Sequence, residues 1–329
     1  MLSETSRLPV ALGLLLVGIP LQAAPPTYPC YRPPVAPALD GEVADDPAWQ
    51  SIPAVTGFSV LGGTYTLPKQ TRVQACWDGD ALYVVMTCEE PDAPDLQTTV
   101  ADGGAAWLDD GVEIFVQAAG APQAFQVVIT AAGVRASGSV APDLAQVAVG
   151  TRIGADTYWV EARIPFSILG ATPQVGDRWR ANFCRNTWTT RSGGDKFTSW
   201  APLTRSFNEP ESFATLAFEG PPADPAEHTR VAHELNLPYR ASLLTRLRAA
   251  AARESDYADA LRTAARDVEF GRRARTLRRR WREIDSALRD ADIVPIGDLR
   301  RTVGGADALV QESYDLKYAY LIAALLREH

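Results

Sequence analysis

The feature that most constrains the fold is a series of short segments in which polar and apolar residues alternate. These segments are rich in β-branched and aromatic residues, and turns such as Asp78-Gly79 and Ala132-Gly133 separate them. No long helical pattern interrupts the series. It therefore predicts an all-β antiparallel sandwich of the jelly-roll or immunoglobulin-like type. The segments lie at residues 71–77, 81–90, 112–118, 124–130, 158–166 and 179–186.

The character of the sequence changes near residue 220. Alanine, leucine, arginine and glutamate dominate from there on, and apolar residues recur at spacings of three and four, as in Leu243-Leu247 and Leu277-Trp281. This spacing predicts a separate all-α region of three to five helices, packed as a hairpin or small bundle. Because a proline-rich linker precedes the change, we predict a sandwich domain at residues 24–220 and a helical domain at 221–329.

The N-terminus has the pattern of a secretory signal peptide. Arg7 precedes an apolar run at residues 8–21, and the small residues Ala23 and Ala24 follow it. We therefore predict a signal peptide at residues 1–23 and an exported protein, periplasmic or extracellular. No later segment is long and apolar enough to predict a membrane span.

The sequence contains four cysteines, Cys30, Cys76, Cys88 and Cys184. In an oxidising compartment an even number indicates disulfides, and four cysteines allow three pairings. Buried free thiols are the alternative. No CxxC pair is present, which argues against a zinc site.

The charge distribution bears on partners. A formal net charge of -8 argues against non-specific nucleic-acid binding. An arginine-rich run at residues 272–282 is typical of a solvated helix face. The alternative is that the helical domain docks a protein or another envelope partner, such as an acidic polysaccharide or a membrane surface.

Seven phrases in the strand-rich region occur in the order found in the family 9 carbohydrate-binding modules, and the region resembles that family. The match covers about 180 residues and none of the predicted helices. The phrases are LDGEVADDPAWQ (39–50), CWDGDALYVVMTCEEPD (76–92), AWLDDGVEIFVQ (106–117), YWVEARIPFSILG (158–170), GDRWRANFCRN (176–186), SWAPL (199–203) and FATLAFEG (213–220).

The resemblance implies a sugar site in which two tryptophans enclose a terminal sugar and polar side chains hold its hydroxyl groups. Carried onto this sequence, it implies Trp107 as one aromatic platform and Glu113 as a polar partner. Trp200 is the candidate for the second platform, with Trp188 as the substitute. Arg135, just after the Gly133 turn, is a further candidate donor.

The sequence also contains candidate residues for a metal site and for catalysis. The family sometimes carries structural calcium, for which Asp40, Asp46 and Asp110 are candidate ligands. We assign no catalytic residue, because a glycoside hydrolase needs two carboxylates across a cleft and Asp109, Asp110 and Glu113 qualify by composition only. Haem is disfavoured because the predicted sandwich has no histidine.

These observations predict an exported carbohydrate-binding protein that acts in polysaccharide recognition or breakdown. A non-catalytic scaffold of the cell envelope is the alternative. A glycoside hydrolase, or an accessory to one, is the lesser alternative.

Overall fold

The computed structural model describes residues 25–63, 66–138, 143–189, 196–222 and 224–327. The predicted signal peptide lies outside the described residues. The described residues before 220 form twelve strands and two short α-helices: β1 (Thr27–Cys30), α1 (Pro47–Gln50), β2 (Ser59–Val60), β3 (Thr71–Trp77), β4 (Ala81–Glu89), β5 (Gly111–Gln117), β6 (Phe125–Thr130), β7 (Arg135–Ala136), β8 (Ala148–Ile153), β9 (Thr157–Pro165), α2 (Phe166–Leu169), β10 (Arg178–Asn186), β11 (Phe197–Ser199) and β12 (Ala214–Phe218).

The strands form two sheets that face each other. The eight-stranded sheet has the order β1-β12-β10-β5-β6-β7, and β11 pairs with both β10 and β2. The four-stranded sheet has the order β3-β4-β9-β8. All named pairings are antiparallel except that of β1 with β12, which is parallel. The predicted antiparallel sandwich is confirmed.

Residue alternation along each strand builds the core. On β5, Val112, Ile114 and Val116 point between the sheets, while Glu113 and Phe115 point away from them. We call these two sides of the eight-stranded sheet the inner face and the outer face. Four buried aromatic residues pack edge-on inside the sandwich, with ring centroids between 4.9 and 6.4 Å apart: Trp77, Phe166, Trp179 and Phe218.

The helical domain follows the last strand and has its own apolar core. Its first helix begins at Pro225 because the Asp224 side chain caps it, accepting the Glu227 N–H at 2.8 Å. Among the described residues, no helix is long and apolar enough to cross a bilayer. The predicted all-α region is confirmed, with five α-helices in residues 224–327: α3 (Pro225–Leu235), α4 (Leu237–Ala251), α5 (Ala258–Ala264), α6 (Gly271–Arg289) and α7 (Ile296–Arg327).

Polar contacts join the helices to the sandwich. The Asn236 side-chain carbonyl accepts the Thr56 backbone N–H at 2.9 Å. Arg300 on α7 forms a two-point ion pair with Glu89 on β4. The helical domain therefore lies against the sandwich at the end of β4.

All four cysteines are buried and free. This corrects the expectation of disulfides and agrees with the alternative of buried thiols. Burial raises the pKa values of the Cys30, Cys76 and Cys184 thiols well above the ordinary value for cysteine. These thiols are therefore inert as nucleophiles.

Candidate functional site

A cluster of polar side chains lies on the outer face, where three neighbouring strands meet. Glu113 on β5, Asn186 on β10 and Gln126 on β6 come together because β5 pairs with both other strands. The Glu113 carboxylate accepts the Asn186 amide N–H at 2.9 Å with one oxygen and the Gln126 amide N–H at 2.8 Å with the other. Each carboxylate oxygen keeps a second lone pair for a further donor.

The environment of Glu113 changes its acidity. Burial raises the pKa of the Glu113 carboxyl above the ordinary value of 4.5, and the amide donors of Asn186 and Gln126 act in the opposite direction. A buried carboxylate held by two amides is fixed in one orientation. It can therefore accept a directed hydrogen bond from a ligand hydroxyl group.

Two tryptophans lie next to this cluster. Trp107 is in the single turn that precedes β5, and Ala106 of that turn packs on Val128 of the outer face. Trp188 follows the end of β10, and its indole N–H donates to the Trp107 backbone carbonyl at 3.0 Å. Trp107 is 42% exposed and Trp188 is half-buried. The turn that carries Trp107 therefore lies at the outer face, and Trp188, two residues after Asn186, is bonded to that turn.

Two further aromatic or cationic residues extend the surface at Trp188. The Lys196 ammonium lies 4.0 Å from the centroid of the Trp188 ring. Phe197 meets the same ring edge-on, with centroids 6.0 Å apart. The Lys196 ammonium thus covers one face of the Trp188 ring, and Phe197 packs against the same ring in a T-shaped contact.

Buried charges fix the segment that carries Trp188. The fully buried Asp110 carboxylate accepts the backbone N–H groups of Trp188 at 2.8 Å and of Thr189 at 3.3 Å. On the other side, Lys69 donates to the Thr189 backbone carbonyl at 2.8 Å and to the buried Glu90 carboxylate at 2.5 Å. The loop after β10 is therefore held at both its N–H and C=O groups, so Trp188 has a defined position.

A family model described as carbohydrate family 9 binding domain-like matches residues 39–220, more than half of the chain. The chain belongs to this family. The resemblance expected from the sequence phrases is confirmed, and the matched range contains both sheets except β1. No protein of curated function matches the chain.

The chain is also similar to several solved structures, which include family 9 modules. A family 9 module of Caldicellulosiruptor kristjanssonii in complex with cellotriose is 19% identical, with a TM-score of 0.45, covering 60% of this chain and 96% of the module. A family 9 module of the same organism in complex with glucose is 20% identical, with a TM-score of 0.45, covering 59% of this chain and 97% of the module. A protein of Bacteroides uniformis described as carbohydrate-binding is 18% identical, with a TM-score of 0.48 and coverages of 60% and 100%.

The structure assigns the sequence-predicted tryptophans of this family 9 domain to different faces. Trp200 is 7% exposed and packs inside the sandwich, where its ring meets Tyr28 at 6.1 Å and Phe183 at 6.0 Å between centroids. This corrects the expectation that Trp200 is a second platform, because neither face of its ring is open to a ligand. Trp188, the substitute, lies beside Trp107 instead.

Arg135 also lies away from the cluster. Its strand β7 pairs with β6 so that Arg135 is opposite Ile129, an inner-face residue. Its guanidinium donates to the backbone carbonyls of Val147 and, at 3.5 Å, Leu144. Arg135 therefore holds the turn before β8, and the structure does not place it with Glu113.

The three candidate calcium ligands do not converge. Asp46 caps α1 and accepts the backbone N–H groups of Ala48 at 2.8 Å and Ala38 at 2.9 Å. Asp40 accepts the Glu42 N–H at 2.8 Å, and both oxygens of Asp110 are occupied by the loops around Trp188. Within the described part of the chain, no group of three or more His, Cys, Asp or Glu residues could hold a metal ion.

The two aspartates weighed for hydrolysis are fully buried. Asp109 accepts the Val100 N–H at 2.7 Å and the Thr99 hydroxyl at 3.1 Å, and Asp110 binds the loop of Trp188. Both carboxylates thus maintain loop structure. Glu113 differs from them in that its oxygens accept from the side-chain amides of Asn186 and Gln126 on the outer face rather than from backbone groups.

Sequence reasoning missed Asn186, Gln126 and Lys196. Asn186 and Gln126 occupy outward positions of strands that the sequence did predict, two residues from Cys184 and one from Phe125. Strand alternation could have placed them on the same face as Glu113. The pairing of β5 with β6 and β10 was the information that the sequence did not supply.

Proposed function

We propose that the sandwich binds carbohydrate on its outer face, with Trp107 and Trp188 as aromatic platforms and Glu113, Asn186 and Gln126 as the polar contacts. The observation that supports this proposal most is that two partly exposed tryptophans, Trp107 and Trp188, lie near the Glu113 carboxylate, whose two oxygens are hydrogen-bonded to amides. Sugars have apolar C–H faces and polar hydroxyl rims, and such a ligand needs this combination. The family match over residues 39–220 supports the same ligand class.

The polar groups suit hydroxyl recognition. The Glu113 carboxylate accepts from sugar O–H groups, and the amides of Asn186 and Gln126 can both donate and accept. Sugar hydroxyl groups also donate and accept hydrogen bonds, so one hydroxyl group can donate to Glu113 and accept from an amide at the same time. A small cluster of this kind fits the end of a glycan chain or a short stretch of it, and polysaccharide recognition is the role we assign.

The test is a glycan-array screen of the purified protein, followed by calorimetric titration with the best ligand. Trp107→Ala and Trp188→Ala should each weaken binding by at least about tenfold, as expected for aromatic anchors. Trp159→Ala is the matched control: this half-buried tryptophan lies on β9 of the opposite sheet. Binding that survives both site substitutions, or a folded protein that binds no glycan, contradicts the proposal.

A reducing-sugar assay on the same ligands separates binding from hydrolysis. The proposal expects no release above background. Release that disappears in Glu113→Gln would replace a binding role with a catalytic one.

We also propose that the protein is exported. The charged residue, apolar run and small residues at 7–24 support it. Expressed in a Gram-negative host, the protein should be recovered outside the cytoplasm with Ala24 as its first residue by mass spectrometry. Cytoplasmic protein with an intact N-terminus contradicts export without affecting the proposed sugar site.

A further inference from the structure

The distal half of α7 has apolar residues on two opposite sides. One side packs into the helical core through Leu309 and Leu316, and Tyr320 continues it. The other side is open to solvent. Its residues, which we call the α7 seam, are Tyr314, Tyr318, Leu321, Ile322, Leu325 and Leu326, and each is between 41% and 73% exposed.

The seam has the spacing of a helix-pairing surface. Tyr314, Tyr318, Leu321 and Leu325 follow one another at four, three and four residues, which is the repeat of the contact positions in a coiled coil. Ile322 and Leu326 widen the same stripe. A solvated helix face has no reason to keep large apolar residues at this period.

The position of α4 explains why the seam is uncovered. α4 runs beside α7 in the same direction, with Tyr239 next to Arg300 and Arg246 next to Asp307. The same register carries the last residue of α4, Ala251, to the level of Glu312. The seam begins immediately beyond that point, where α4 no longer runs beside α7.

The seam is held in place at its far end. Arg327 pairs with Asp267 at 2.6 Å and with Glu269 at 2.9 Å. The Tyr314 and Tyr318 rings also lie against each other, with centroids 4.6 Å apart. The seam is thus presented on an ordered helix.

The area of the seam approaches what a dimer needs. Together its exposed side chains amount to about 600 Å² at ordinary side-chain areas, the upper end of what a monomer leaves exposed. A standard interface takes about 800 Å² from each partner, and residues flanking the seam can supply the remainder.

The charges near the seam disfavour a lipid surface. Asp307 and Asp315 border it, with the neutral Gln311 between them. The Lys317 ammonium donates to the Asp256 backbone carbonyl at 2.9 Å and lies 5.5 Å from the centroid of the Tyr318 ring. An anionic membrane attracts helices flanked by free lysines and arginines, whereas Lys317 and Arg327 are already engaged by Asp256, Asp267 and Glu269.

We propose that two copies of the chain pair through the α7 seam as an antiparallel, two-fold symmetric helix pair. A two-fold axis lets one patch cover itself, which is the commonest arrangement of homo-oligomers. Antiparallel pairing centred on the seam sets Tyr314 of one copy opposite Leu325 of the other. It also places the partner helix along the stretch of α7 that lies beyond the end of α4.

The first test is the mass of the native chain in solution by light scattering. The native chain should have twice the mass of one chain, and Leu321→Glu/Leu325→Glu should have the mass of one. Ile293→Glu is the matched control, since Ile293 is an exposed apolar residue in the turn between α6 and α7 and outside the seam; it should remain a dimer. Circular dichroism checks that both variants keep their helices. A native monomer, or a dimer that survives the double substitution, overturns the proposal.

The second test decides the direction of pairing. The native cysteines are buried, so a new surface cysteine is the reactive one. Chains carrying Tyr314→Cys and Leu325→Cys should cross-link to each other when mixed and not to themselves. Self-cross-linking of each variant overturns the antiparallel arrangement. A native monomer that pellets with phosphatidylglycerol vesicles, and loses this in the double variant, assigns the seam to a lipid surface instead.

Discussion

On the inner face of the eight-stranded sheet, Trp200 is packed between Tyr28 and Phe183, whereas on the outer face Trp188 lies beside Trp107 with part of its ring exposed. Trp200 directly follows β11 and Trp188 follows β10, and these two strands pair with each other. The inner face is closed by aromatic packing, and the outer face combines rings with polar groups. The difference shows that the face on which a tryptophan lies, rather than its sequence phrase, decides between packing and binding.

The largest effect should come from the inner face. Trp200→Ala removes a buried ring and leaves a cavity, so it should lower the free energy of unfolding by about 3–5 kcal/mol. Urea denaturation measures this, and Trp188→Ala is the control, expected within about 1 kcal/mol of the native chain. Equal losses in the two variants would remove the distinction between the faces.

The next effect concerns the support of Trp188. Asp110→Asn keeps the shape but replaces one acceptor oxygen by an N–H donor that faces backbone N–H groups. Loss of charged hydrogen bonds should cost about 1.5–3 kcal/mol of stability and weaken sugar binding as well. Asp45→Asn, on the exposed lead-in, is the control. A destabilised Asp110→Asn chain with native affinity would show that the loop does not position the platform.

Glu113→Gln tests the polar half of the outer face. The substitution sets a new amide against the amides of Asn186 and Gln126 and removes the charged acceptor. Affinity for the best glycan should fall by about tenfold to a hundredfold. Glu211→Gln, an exposed glutamate outside the site, should bind normally. Unchanged affinity in Glu113→Gln would leave only the tryptophans as the site.

The smallest effect is a dependence on pH. Because the pKa of Glu113 is raised, its carboxylate becomes protonated at a pH above its ordinary pKa of 4.5. Affinity should therefore fall as the pH decreases through this raised pKa. The effect on stability has the opposite sign, because ionising a buried carboxyl with a raised pKa costs the folded state as the pH rises through the same window. Titrations of the native chain and Glu113→Gln isolate this group, and equal pH profiles would contradict it.

In the helical domain, the sequence pattern predicts the elements but not the way they pack. Its apolar spacing predicts helices but does not say which stripe faces the bundle. On α7 both Leu316 and Leu321 are large apolar residues, but Leu316 is buried in the helical core while Leu321, beyond the level at which α4 ends, is exposed. The unpaired seam was visible only once the helices were placed.

The sequence by itself determined the two fold classes and the outward direction of Glu113. Alternation with period two and apolar spacing of three to four are local properties that backbone geometry imposes. The sequence also made Trp107, Trp188, Trp200 and Arg135 candidates for the site. It could not show which of the four lie on the same face as Glu113.

Tertiary structure decided which candidates share a face. The pairing of β10 with β5, and of β5 with β6, brought Asn186 and Gln126 to Glu113. The pairing of β7 with β6 turned Arg135 to the inner face, and that of β11 with β10 placed Trp200 in the core. A shift of one residue in strand register exchanges the two faces, and register depends on partners far away in the chain.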